Sequence, residues 1–429
     1  MATRSSQAAR LVPVWAIVAA LLGFSTQAIA DDTVSLLDAQ RSGELNVVAR
    51  GHGQSQVKFS ITNKSARRLN VVVPPGLVAA SAVSQGFQSM GLGGLSNQPG
   101  RFGQFATTNA GTGFRSLPTA DSTSGLAISE GQTVELLIPS VCLNFGIATP
   151  TAKDVFVLKD VTEYTSDPRA VKALRSLASL GTSQGVAQAV AWNVFNGMSF
   201  ERIAKEGREY VNIGEVSLAA RFVDALDMSG TQEIVDPAYF REGRILVRTQ
   251  GESSMGKVAA RVGGELQGQC LMGLPVQVVD ELSAEHARPA SLLVDTVIIG
   301  GDRENQTRIR ANLRYHTATG GWTKLNPIDL TVPSAPGELS GPALATALDR
   351  AIASALVTTT PARRGNGTTT FKVSNRLPFT IETVVLNTSR GENPPRVSLD
   401  GIGIGPGRSA MANIPAAIGL VERVELNGL

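Results

Sequence analysis

Two short patterns occur twice in this sequence, in the same order, near its two ends. Phe59-Ser60-Ile61-Thr62-Asn63-Lys64 and Phe371-Lys372-Val373-Ser374-Asn375-Arg376 share F-x-[IV]-[ST]-N-[KR]. Gly131-Gln132-Thr133 through Ile138-Pro139 and Gly407-Arg408-Ser409 through Ile414-Pro415 share G-x-[ST]-x-x-x-x-I-P. Apolar residues at period two running into an Asn describe a half-buried strand that enters a turn. Two such motifs in one order point to two copies of one β module, and a sandwich of the immunoglobulin-like kind is the usual way for such strands to bury one face.

The copies differ in length. Asn63 and Gly131 are 68 positions apart, whereas Asn375 and Gly407 are only 32 apart. The first copy, over residues 31–158, therefore carries an insertion, placed at 84–125, where Gly, Ser, Thr and Asn dominate and Phe87, Phe102, Phe105 and Phe114 are spaced along the chain. Such a stretch cannot bury a core of its own and reads as a long loop, with its Phe side chains as anchors if it binds anything. The second copy spans 366–429.

The chain between the copies has other periods. Asp167-Pro168 is a helix start, Val171, Leu174, Leu177 and Ala178 mark one face, and Gly181 is a stop. Val186, Val190 and Val194, a cap at Ser199, and Leu218, Phe222 and Leu226 continue the theme, so 159–232 reads as a helical bundle. From 240 to 360 strands at 245–247, 276–279, 292–299 and 307–316 alternate with helices at 254–266 and 342–356, an α+β sheet domain. The expected fold class is thus multidomain α and β: two sandwich-like β modules, first and last, with a helical bundle and a mixed α+β sheet domain between them. A length of 429 residues agrees, being too long for one core.

Residues 1–30 fix the compartment. Arg4 and Arg10 precede an apolar run at 11–24, and Ala28-Ile29-Ala30 offers a small-x-small cleavage site before Asp31. That is a secretory signal peptide, so the mature chain is expected to be secreted, periplasmic or extracellular, with no transmembrane span. A net charge of +3 with scattered basic residues excludes nucleic acid as an expected partner.

Gly251-Glu252-Ser253-Ser254-Met255-Gly256-Lys257-Val258 matches seven of the eight positions of the phosphate-cradling loop G-x-x-x-x-G-K-[ST]. The missing position is the one that holds magnesium, and Val258 has no oxygen to offer. Val258 falls on an apolar stripe with Met255, Val262 and Leu266 instead, which argues against a nucleotide. Ser254 and Lys257 also spell S-x-x-K, a serine-hydrolase motif, while a plain helix cap by Ser253 or Ser254 explains the same residues. No cofactor or metal is expected: His52, His286 and His316 share no ligand spacing. Arg308, Arg310 and Arg314 line one strand face at about 7 Å per step, a wet face or a site for an anionic polymer or lipid headgroup.

Two cysteines remain. In an oxidising compartment Cys142 and Cys270 are expected to form a disulfide, with separate buried thiols as the alternative. A third reading comes from a resemblance. Val141-Cys142-Leu143-Asn144 at a strand end, followed by Gln188-Ala189-Val190-Ala191-Trp192 on a helix, resembles the thioester domains of bacterial surface adhesins over residues 46–230. The resemblance implies that Cys142 condenses with Gln188, with loss of ammonia, to store an acyl group that amines capture. The helix departs from that family's T-Q-x-A-x-W pattern, with Ala187 for Thr and Val190 for Ala. Residues 243–357, with Gly300-Gly301 and a turn ending near Trp322, resemble the amino-terminal domain of periplasmic TolB-type proteins in element order, which implies an interaction role without catalytic residues. The expected function is non-enzymatic binding of another protein or surface polymer through the β modules. The alternatives are a covalent adhesin using Cys142 and Gln188, and a serine hydrolase using Ser254 and Lys257.

Overall fold

A computed structural model describes residues 32–81, 88–93, 126–300, 305–364, 368–387, 396–415 and 421–429. The expected leader at 1–30 lies outside the described residues. So do Phe87, Phe102, Phe105 and Phe114 and all of the expected insertion except 88–93. Among the described residues helices and strands are mixed, and the strands fall into five sheets.

The first region runs β1 (Asp32–Ser35), α1 (Leu36–Arg41), β2 (Leu45–Gly51), β3 (Gln56–Asn63), β4 (Leu69–Val72), β5 (Leu77–Ser81), β6 (Met90–Leu92), β7 (Leu126–Ile128), β8 (Thr133–Cys142) and β9 (Val155–Asp160). Strands β2-β3-β8-β6-β5-β9 close into a barrel, and β1-β4-β7 make a separate small sheet. The alternation along β3 is the cause of its inward face: Val57, Phe59 and Ile61 are fully buried while their neighbours are half-exposed. Closure is the difference from the sandwich expected here. It depends on β5 and β6, and β6 lies inside the segment expected to be a loop.

Four longer helices and one short turn of helix follow: α2 (Val161–Tyr164), α3 (Pro168–Leu180), α4 (Gln184–Asn196), α5 (Phe200–Glu206) and α6 (Ile213–Met228). Their ends are where the local chemistry puts them. Asp167 caps α3 by accepting from Arg169 N–H, and the helix stops at Gly181 in the left-handed region. Asn212 and Glu215 close a capping box on α6. Helix α4 is buried at every position from Gln184 to Trp192, because it is covered by the barrel on one side and by α3 and α6 on others.

The next region holds β10 (Ile245–Gly251), α7 (Gly256–Leu266), β11 (Cys270–Leu271), β12 (Leu274–Val278), β13 (Leu292–Gly300), β14 (Thr307–His316), β15 (Trp322–Lys324), β16 (Ile328–Val332) and α8 (Gly341–Leu356). The sheet order is β11-β12-β10-β13-β14-β15, with β16 also on β14; β10 runs parallel to both β12 and β13. Helix α7 starts after a 3-10 turn at Ser253–Met255 rather than at Ser254. Neither Ser253 nor Ser254 caps it through a side chain, which corrects the cap expected there; Ser253 instead takes a φ of 49°.

Helix α8 runs directly into β17 (Val357–Arg364), followed by β18 (Thr368–Asn375), β19 (Ile381–Asn387), β20 (Arg396–Ile404), β21 (Ser409–Pro415) and β22 (Val421–Leu426). These form two open sheets, β17-β18-β21 and β20-β19-β22. The repeat is visible bond by bond. Asn63 Nδ2 donates to Arg67 O and Ile128 O, and Asn375 Nδ2 donates to Phe379 O and Ile404 O. Asn63 Oδ1 accepts from Ser65 N–H as Asn375 Oδ1 accepts from Leu377 N–H. Strand β3 pairs β8 with Thr62 opposite Thr133, and β18 pairs β21 with Ser374 opposite Ser409. Strand β17, just before the second copy, is the edge strand beside β18, and its register shifts between Pro361 and Arg363. One apolar core runs from Val78 and α3 through the mixed sheet to Leu429, and a second fills the barrel.

Candidate functional site

Strand β8 changes partners near its end. It pairs β3 as far as Pro139, opposite Gln56, then continues against β6, with Cys142 opposite Met90. Past Ser140 the edge that β3 had covered is open, and polar main-chain groups there need partners. Helix α4 supplies them. Gln184 and Gln188 are four residues apart and share a face. Gln184 Nε2 donates to Ser140 O. Gln188 Oε1 accepts from Cys142 N–H at 2.9 Å and its Nε2 donates to Cys142 O at 2.8 Å. Two turns on, Asn196 Oδ1 accepts from Phe145 N–H at 2.9 Å and Nδ2 donates to Leu143 O at 3.1 Å. The helix thus pairs with the outgoing chain much as a strand would.

The alternation at the strand end separates the two cores. Val141 and Leu143 face the helices, while Cys142 belongs to the barrel interior and has its Sγ 3.5 Å from Gln54 O. Burial pushes its thiol up to about 12, so it is protonated at neutral pH. Cys142 and Gln188 line a cavity of ≈ 360 Å³ together with Gln88, Asn144, Trp192 and Tyr210. The only charged residues on its wall, among the described residues, are Glu206 and Glu209. The Trp192 ring sits between Phe145, at 5.0 Å edge-on, and Tyr210, at 5.9 Å.

What the arrangement offers chemically is a main-chain donor beside the Gln188 carboxamide. The Cys142 N–H already donates to the oxygen that would become an oxyanion if a nucleophile added to the Gln188 carboxamide. The sulfur belongs to the same residue, on the barrel side of the strand, and shares the cavity with Gln188.

Other expected residues fall elsewhere. Cys142 and Cys270 are both free thiols, so the expected disulfide is not formed. Cys142 is buried at the barrel end, whereas Cys270 is exposed on the short strand β11. Arg314 is held by Asp295 at 2.7 Å and Arg310 by Asp329 at 3.1 Å, and Arg308 is also engaged. The arginine row is thus largely spent on its own sheet. Ser254 and Lys257 are exposed, and among the described residues no hydrogen bond joins them. Among the described residues no group of three or more His, Cys, Asp or Glu side chains could hold a metal ion, and no helix is long and apolar enough to cross a membrane.

Sequence reasoning missed Gln184 and Asn196. Amide side chains at 184, 188, 193 and 196 on a helix without charged residues were the available signal. No protein-family model matches the chain, and no curated protein matches it significantly.

Proposed function

We propose that this protein captures a partner covalently through an internal thioester between Cys142 and Gln188. The observation that carries the reading is the two-point pairing of the Gln188 carboxamide with the main chain of Cys142, across 46 residues of sequence. The likeness of residues 46–230 to thioester domains belongs to this proposal. So does the organisation in which two β modules flank a helical bundle and a mixed α+β domain in an exported, non-enzymatic adhesive protein.

The balance needs no oxidant. Cys142 Sγ adds to the Gln188 Cδ, the C–N bond breaks, and ammonia leaves with the thiol proton. The Cys142 N–H steadies the carbonyl oxygen during addition. A primary amine on another protein or on a surface polymer then displaces the thiol and becomes an amide on Gln188. Burial keeps the thiol protonated and unreactive toward other reagents until the carboxamide is in place.

Intact mass of the mature chain, purified without amines, tests it. Wild type should be lighter than its sequence by one ammonia, and Cys142→Ala and Gln188→Ala should show full mass. Methylamine should add to wild type alone. A full-mass wild type with a titratable second thiol would sink the proposal.

A further inference from the structure

We infer that Arg408, delivered by the last β module, is a positioning residue for the Cys142–Gln188 pair; this rests on the thioester reading. Glu215 is 1% exposed, and its carboxylate accepts from Arg408 Nε and Nη2, each at 2.7 Å, as well as from Asn212 N–H at 2.9 Å. Arg408 Nη2 also donates to Tyr210 O at 2.6 Å. Asn212 Nδ2 donates to Pro406 O at 2.7 Å. The turn at residues 405–408 is thereby fastened to the start of α6.

The same turn is wedged against the first turn of α4. A Cβ on Gly405 would lie 2.7 Å from Ser183 Oγ, and a Cβ on Gly185 would lie 2.1 Å from the Glu215 carboxyl carbon. Helix α4 therefore has two supports. Its amide side chains hold β8, and the Glu215–Arg408 pair backs the turn from which Gln188 follows one turn later. The other cavity wall hangs on Arg408 too, because Tyr210, whose carbonyl it takes, packs on Trp192, one turn past Gln188.

The repeat shows that this link is an addition to the module. The first copy has Gln132 where the second has Arg408, and among the described residues the Gln132 side chain makes only a local bond, its Oε1 accepting from Ser129 N–H at 2.9 Å. A β module of this kind folds with Gln at the position. What Arg adds is the reach to Glu215 on α6 and to Tyr210 O. Since residues 405–408 are made about two hundred positions after α4, the reactive pair is set only once the chain is nearly complete.

The test is Arg408→Gln, the first copy's own residue, beside Arg408→Lys, all in a Cys270→Ser background. Two rates are read: loss of ammonia, and alkylation of Cys142 in the Gln188→Ala form, which cannot make the thioester. Amide exchange across β18 and β21 reports whether the module stays folded. With that protection kept, Arg408→Gln should lose ammonia about tenfold or more slowly and alkylate faster by a similar factor, since displacements near 1 Å are enough for such losses. Arg408→Lys should recover part of both. If the single variant does not fold, Glu215→Gln with Arg408→Gln, which leaves no lone buried carboxylate, carries the test with the same outcomes. Unchanged rates in a folded variant overturn the inference. Failure of wild type to lose ammonia sinks the thioester instead, and the alkylation arm still decides whether Arg408 fixes the pocket.

Discussion

Asn63 and Asn375 occupy equivalent positions in the repeat, yet replacing each by Ala should not cost the same. Asn375 serves Phe379 O, Ile404 O and Leu377 N–H, all within buried residues. Truncation strands three main-chain groups where water does not reach. Each buried group left without a partner costs about 1–3 kcal/mol, so Asn375→Ala should cost roughly 4 kcal/mol or more. Asn63 serves Ile128 O in the interior, but its other partners, Ser65 N–H and Arg67 O, belong to residues that reach solvent. Only the Ile128 carbonyl is stranded, and the cost should be roughly 1–3 kcal/mol. Because the chain has several regions, a single unfolding midpoint would blur the comparison. Amide hydrogen exchange resolves it, by comparing opening of β18 and β21 in one variant with opening of β3 and β8 in the other. Equal losses, or a larger loss for Asn63→Ala, would refute the argument that solvent access to the stranded partners sets the cost.

Two glycines should respond oppositely to Ala. Gly185→Ala meets the Glu215 carboxyl and should lose about 1–3 kcal/mol, while Gly256→Ala meets nothing within 4 Å and should gain about 0.5–1 kcal/mol, each read from amide exchange in the helix concerned. Burial lowers the His316 imidazole below its ordinary value, so the unfolded chain takes up the proton first as pH falls. Stability relative to His316→Gln should therefore drop as pH falls through the ordinary imidazole range and level off below the folded value; a flat difference from pH 8 to 4 would contradict this. Asp295 is clamped by Arg248 at 2.6 Å and Arg314 at 2.7 Å with its side chain 13% exposed, and Asp295→Asn should cost about 1–3 kcal/mol in the opening of β10, β13 and β14 followed by amide exchange. In the Gln188→Ala form, whose Cys142 stays a thiol, a thiol reagent at neutral pH should label the exposed Cys270 well before Cys142, as peptide mapping would show.

What could be read from the sequence was what is local. The strand-and-Asn motif announces the repeat because alternation and the turn residue lie within a few positions, and both asparagines do the same work in the structure. Helix starts at Asp167 and Ser199 are likewise local, since each cap bonds an N–H two or three residues on. Strand β6 escaped notice because Met90-Gly91-Leu92 is too short to show a period, and only its pairing with β5 and β8 makes it a strand. The arginine row looked free because Asp295 and Asp329 reach it from neighbouring strands. Cys142 and Gln188 were linked through a resemblance, whereas Gln184 and Asn196 needed the strand end in view to acquire a purpose. Glu215 and Arg408 are 193 residues apart, and nothing around either announces a buried charge pair.

The two copies of the module leave different hydrogen-bonding groups unused. The barrel has no border, but the sheet β17-β18-β21 keeps one on each side, and β17 is rich in threonine, a composition that invites a strand from a neighbouring molecule to add itself. Pro361 offers no N–H to such a visitor, and the irregularity beside it breaks the rhythm that a newcomer would have to match. One duplicate solved the problem of stray association by closing up, and the other by spoiling its own border.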